Sequence, residues 1–170
     1  MFHGYTLQTP KKPVNKQRMS KKIVYAKILF MTELCPCNSS KKYSQCCQVF
    51  HEESSKITTT EQLLRARYSA FVLKLPQFIK STMIEPALQA YDENFILNSP
   101  IQWQSLEILK TERGGSEDTL GTITFIVTCL ETPESTQPFS VEETSLFKRI
   151  NGQWMYEKAI ALKNKPSSNK

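Results

Sequence analysis

The sequence predicts an α+β fold with a small cysteine-rich module in front, and three observations carry that expectation. Four of the five cysteines crowd into residues 35–47. Leu64, Tyr68, Phe71, Val72 and Leu75 follow one another at the spacing of a single helical face. From Trp103 onward apolar residues alternate as in half-buried strands, and Asn151-Gly152 marks a hairpin. Helices first and antiparallel strands afterwards is the order of an α+β domain.

Taken in order, residues 1–30 hold Lys11, Lys12, Lys16, Arg18, Lys21, Lys22 and Lys27 and no acid. The net charge of +6 therefore belongs to this arm, and the remaining chain is close to neutral. The arm reads as disordered and basic, with nucleic acid as a partner reachable through phosphate contacts. No run approaches the ~18 apolar residues of a membrane helix. The longest candidate, Ile23 to Met31, is interrupted by Lys27, so the expectation is a cytoplasmic chain without a membrane span.

Residues 31–50 form the cysteine module and 51–163 the main domain, opening on a polar linker. Thr58 with Glu61 has the spacing of a capping box ahead of the first helix. Pro76 ends that helix or opens the next, which carries Phe78, Ile79 and Met83. Pro86 suits the first turn of a third helix with Leu88, Tyr91 and Phe95. Strands are then expected at 103–110, 119–130, 141–150 and 153–162, with Gly114-Gly115 as a turn. Ile123, Phe125, Val127 and Cys129 share the buried face of the second strand. Residues 164–170 are polar and read as a disordered tail.

The cysteines stand as Cys35, Cys37, Cys46 and Cys47, two close pairs separated by a short loop. Four thiolates at such spacing can surround one zinc ion tetrahedrally and leave no open position, which makes the site structural. A segment this short has no core of its own, so the metal supplies its folding energy. Disulfides or free thiols are the competing readings, and a reducing compartment disfavours the first. His51, four residues beyond Cys47, is a second-choice ligand.

The stretch CPCNSSKKYSQCC resembles the SEC-C motif, whose usual form is CPCGSGKKYKKCC or its CHG variant. It keeps the four ligands, Ser39, Lys41, Lys42 and Tyr43, and departs at Asn38 and Ser40, where glycines are usual. The run from Glu61 to Phe71 is similar to EALMRSRYSAYV of the bacterial YchJ-like proteins. Trp103 to Ile108, Gly121 to Phe125, Glu143 to Phe147 and Asn151 to Tyr156 follow in that family's order. The resemblance implies that the main domain is a nuclear transport factor two-like (NTF2-like) cone, three helices packed on a curved antiparallel sheet. It also implies Met31 as the usual starting point, because family members begin just before the first cysteine pair.

The SEC-C motif of the translocase ATPase SecA engages the chaperone SecB and ribosomes. The resemblance thus implies a protein partner of that kind, met by a surface of Lys41, Lys42 and Tyr43. A second reading places a small ligand or an enzyme site in the cone, around Arg67, Tyr68 and Glu143. The family strand HERSRF reads here Glu142, Glu143, Thr144, Ser145, Leu146, Phe147, so its histidine and both arginines are missing. Arg67 is expected to reach Glu143 as an ion pair, and Cys129 to be a buried small hydrophobe. The two histidines, His3 and His51, are expected outside the folded body, which removes the commonest general base and makes the chain read as a binding module more than as an enzyme.

Overall fold

The computed structural model describes residues 34–165. The basic arm with its nucleic-acid reading, the Met31 start and residues 166–170 lie outside the described residues.

A 3-10 turn at Tyr43–Gln45 leads into helix α1 (Cys47–Glu52), and a second turn at Ser54–Lys56 leads to α2 (Thr60–Val72). The cap of α2 lies one residue later than Thr58 and Glu61 predict. Thr59 Oγ1 accepts from Gln62 N at 3.3 Å and Gln62 Oε1 accepts from Thr59 N at 3.2 Å. The shift follows from Thr60, which is fully buried and donates its N–H to Gly114 O at 2.9 Å. Glu61 is left free to pair with Arg65.

Leu63, Leu64, Tyr68 and Phe71 of α2 enter the core, but the helix stops before Leu75. Lys74 takes a left-handed φ of 55°, so Leu75 packs from beyond the helix end. Helix α3 (Pro76–Ser81) starts on its proline. The predicted third helix is broken in two: a 3-10 turn at Ala87–Ala90, then α4 (Glu93–Asn98). Asp92 causes the break, since its side chain accepts from Phe95 N and caps a new helix.

Four strands, β1 (Gln102–Arg113), β2 (Leu120–Leu130), β3 (Phe139–Ile150) and β4 (Gln153–Lys165), form an antiparallel meander in that order. β4 runs two residues into the segment read as tail, pairing Lys165 with Ser140. Asn151 (φ 50°) and Gly152 (φ 82°) are both left-handed, as a type I′ hairpin requires. Ile123, Phe125, Val127 and Cys129 are all buried, with Phe147, Trp154 and Tyr156 from β3 and β4. Register shifts at Trp103/Ser105, Ile108/Lys110, Thr144/Ser145 and Leu146/Phe147 are bulges, which bend strands and increase their twist.

One end of this sheet is locked to the start of α2. A Cβ at Gly114 would collide with the Thr60 side chain, so helix and turn approach as closely as glycine permits. Arg149 gathers Thr58 O, Gly115 O and Ser116 O around one guanidinium while lying 4.8 Å from the Trp154 ring centre. The β4 edge is covered by residues 82–84, where Tyr156 N donates to Thr82 O and Ile84 N to Tyr156 O.

Candidate metal centre

The knuckle folds on few apolar side chains. Cys35 N donates to Lys41 O at 2.7 Å, closing a tight loop whose two corners, Asn38 and Ser40, both have φ 60°. These are the two positions where the SEC-C pattern places glycine, and left-handed backbone is the reason glycine suits them. The loop returns Cys46 and Cys47 beside Cys35 and Cys37, and all four Sγ atoms lie within 4.8 Å of one another. Cys37 Sγ to Cys46 Sγ is 3.6 Å and Cys46 Sγ to Cys47 Sγ is 3.9 Å. A tetrahedron with Zn–S bonds of about 2.3 Å has edges of about 3.8 Å. The thiol set therefore fits a tetrahedral thiophilic ion, and with all four ligands supplied by cysteine it keeps no position for substrate.

Crowding shapes the protonation of the bare thiols. Hydrogen bonds from Cys35 and Cys47 hold Cys37 far below the ordinary thiol range, whereas the same pairing raises Cys47. Burial pushes Cys46 up to about 11. A cation that binds cysteine thiolates displaces their protons as it binds.

The knuckle is clamped to the main domain by side chains that the cysteine pattern does not announce. Arg65 of α2 donates to Cys37 O at 2.9 Å while pairing with Glu61 at 2.8 Å. Ser69 of α2 places Oγ 3.6 Å from Cys35 Sγ. Asn38 Oδ1 accepts from Leu106 N of β1 at 3.0 Å. The signals were slight: Arg65 stands i+4 from an acid, and Ser69 is a small polar residue between Tyr68 and Ala70.

His51 corrects two expectations. It lies inside the folded body, with Nε2 2.8 Å from Ala66 O and Nδ1 2.8 Å from Tyr43 Oη, and its ring packs edge-on against Phe78. A carbonyl only accepts, so Nε2 carries the proton and Nδ1 accepts from Tyr43. Both nitrogens are engaged, which leaves none for a metal. Burial lowers its pKa and keeps the ring neutral. Tyr43 is accordingly half-buried and tied inward, while Lys41 and Lys42 are exposed. Beside them a cleft of about 480 Å³ is lined by Ser39, Lys41, Cys46, Phe50, Glu61 and Arg65 among others.

Arg67, Tyr68 and Glu143 are each buried at 0–1% exposure, with Tyr68 packed edge-on against Trp103. The expected Arg67–Glu143 ion pair does not form, because Tyr156 takes both partners. The Arg67 guanidinium sits 4.7 Å from the Tyr156 ring centre, and the Tyr156 hydroxyl donates to Glu143 Oε1 at 3.4 Å. Ser145 Oγ donates to the same carboxylate oxygen. Arg67 Nη1 instead donates to Ile79 O and Thr82 Oγ1, and burial lowers its pKa to about 10. Among the described residues Arg67 Nε and Nη2 and Glu143 Oε2 have no hydrogen-bond partner. Cys129 is buried among apolar neighbours, and burial pushes its thiol up to about 12.

Comparison with known proteins agrees with this division. Residues 59–159 match the family described as YchJ, middle NTF2-like domain, and residues 31–48 match the SEC-C motif. A UPF0225 protein of Vibrio parahaemolyticus is 33% identical over 128 residues, covering 74% of each chain. One from Streptomyces coelicolor is 34% identical over 125 residues, covering 74% of this chain and 93% of the relative. The solution structure of a SEC-C motif-containing protein from Rhodopseudomonas palustris aligns with TM-score 0.67 at 23% identity, over 77% of this chain and all of that one, a likeness of fold. A crystal structure of a SEC-C motif-containing protein from Psychrobacter arcticus aligns with TM-score 0.61 at 25% identity, over 76% and 83%. Among the described residues no helix is long and apolar enough to cross a membrane.

Proposed function

The chain belongs to the YchJ-like family, a SEC-C motif followed by an NTF2-like domain, and from that premise we propose that it is a zinc-dependent interaction protein. The four sulfur atoms, held within 4.8 Å of one another, carry this reading. Cys35, Cys37, Cys46 and Cys47 hold one zinc ion as a structural group, and the ion gives residues 34–50 a fixed surface. Lys41 and Lys42 present two exposed cations on that surface, next to the cleft at Cys46. The partner is a protein of the proteostasis or ribosomal machinery, as the likeness to SecA's motif suggests. Tyr43 supports the surface from below through His51.

Metal analysis of purified protein tests the first half. One zinc per chain in the unaltered protein and none in Cys35→Ser is the expected result; a metal-free, folded protein defeats it. Co-purification tests the second half. Partners retained by the unaltered chain and lost in the Lys41→Glu, Lys42→Glu double variant support docking there, and an unchanged partner set rejects it.

One observation favours a small ligand in the cone: the unpaired Arg67 Nε and Nη2 and Glu143 Oε2. Thermal-shift screening with small carboxylates tests that reading. A stabilising compound whose effect vanishes in Arg67→Met supports it, and the absence of any stabiliser leaves these groups as part of the packing.

A further inference from the structure

A zinc ion held by four thiolates leaves a net charge near −2 at the cluster, and partly buried sulfur anions need hydrogen-bond donors. Within the knuckle Cys46 has one, the Ser39 hydroxyl at 3.2 Å. Cys35 is buried at 4% exposure, and the side-chain hydroxyl beside its sulfur comes from 34 residues along the chain, in α2. Ser69 is itself fully buried, and its Oγ stands 3.6 Å from Cys35 Sγ. A thiolate has no proton to give, so in the metal-bound state the hydroxyl must be the donor. An O–H aimed at a ligating sulfur fixes the ligand's orientation and draws charge from it, the role of outer-shell partners at metal sites generally.

We propose that Ser69 is a positioning residue of the metal centre: the main domain, through this hydroxyl, sets how firmly the knuckle keeps its ion. Arg65, one helical turn earlier, holds the carbonyl of Cys37, so two of the four ligand residues are restrained by the same helix face. Cys46, on the cleft side, has neither of these helix contacts and is the least buried of the four ligand residues. Metal therefore leaves from the Cys46 side, and α2 governs the rate at which the remaining ligands let go.

The inference rests on the reading of the four cysteines as a metal centre, and the experiment separates the two. Zinc content of the unaltered chain is measured first; absence of metal sinks the centre itself. Zinc transfer to a colorimetric chelator is then followed for the unaltered protein, Ser69→Ala, Ser69→Thr and Ser69→Val, with absorption spectra of the Co²⁺-loaded forms. Threonine and valine have the same shape, so any packing penalty is shared and their difference isolates the hydroxyl. We expect all four proteins to bind one ion, with Ala and Val releasing it about 10–100-fold faster than wild type and Thr. We also expect the sulfur-to-cobalt charge-transfer band of Ala and Val to shift from its position in wild type and Thr. Equal release rates and spectra for Thr and Val overturn the proposal, as does an Ala variant that behaves like wild type.

Discussion

The knuckle of residues 34–50 and the sheet of β1–β4 reach a fixed shape by opposite means. In the sheet, Ile123, Phe125, Val127, Phe147 and Trp154 are drawn together by the removal of apolar surface from water, and each strand pairs with the next along the chain. In the knuckle three of the most buried side chains are cysteines, and the proposed metal centre would set its shape within 13 residues. The first mechanism is diffuse and tolerates local change. The second concentrates its stabilisation in one centre. A chain can thus carry two parts that fail independently, and the side chains between them decide how independent they are.

The largest test of this contrast is metal removal. A strong chelator, or Cys47→Ser, is expected to remove binding energy on the order of 10 kcal/mol from the knuckle. Hydrogen exchange should accelerate across residues 34–50 while amides of β2 and β3 stay protected. Simultaneous loss of protection in both would erase the distinction. The converse change, Phe125→Ala at a fully buried position, is expected to cost about 3–5 kcal/mol in urea denaturation. Metal stoichiometry of the folded fraction should not change.

Smaller effects probe the seam. Arg65→Ala removes the charge-assisted bond to Cys37 O and should destabilise the knuckle by about 1.5–3 kcal/mol. Exchange at Cys37 and its neighbours reads this loss, and β3 should not respond. His51 is half-buried, and the loss of water around its ring lowers its pKa in the folded chain below the ordinary 6.5. Below that pH the unfolded chain binds a proton that the folded chain refuses, so stability present above pH 6.5 is lost as pH falls. The stability advantage over His51→Gln should therefore shrink from pH 7.5 to pH ~5.5, and a constant gap across that range would contradict a neutral His51.

The smallest effects compare the two left-handed corners. Ser40→Gly removes strain at φ 60° and should stabilise by about 1 kcal/mol. Asn38→Gly relieves the same strain but forfeits the bond to Leu106 N, so the terms offset and the net change should be near zero. A melting comparison of the two variants measures the worth of that one bridge.

These differences also explain what could be read in the amino acids. Strand alternation through Ile123, Phe125, Val127 and Cys129, and the Asn151-Gly152 hairpin, are local patterns, so the sheet was legible almost to its ends. The cysteine spacing was equally local, and the family likeness added the NTF2-like domain. What stayed hidden was long-range. Ser69 and Arg65 touch the knuckle across 34 and 28 residues, and no periodicity encodes that. His51 looked like linker because its neighbours are polar, yet Ala66 O and Tyr43 pull it inward. The break at Tyr91 was hidden too, since Asp92 reads equally well as a surface acid or a cap. Arg67 and Glu143 do not make the expected ion pair, because Tyr156 meets each of them separately.

The bond from Leu106 N to Asn38 has a consequence for solubility. β1 and β4 are the two free margins of the sheet. The margin at β4 is shielded by residues 82–84, part of the main body, whereas at Leu106 β1 is shielded by the cysteine loop. On the metal-centre reading, stripping the ion should loosen that loop and bare backbone N–H and C=O groups that a neighbouring molecule can zip onto. Light scattering should accordingly rise after chelation at concentrations where the loaded protein stays monodisperse, and that rise would make the proposed ion a guard against self-association as well as a local scaffold.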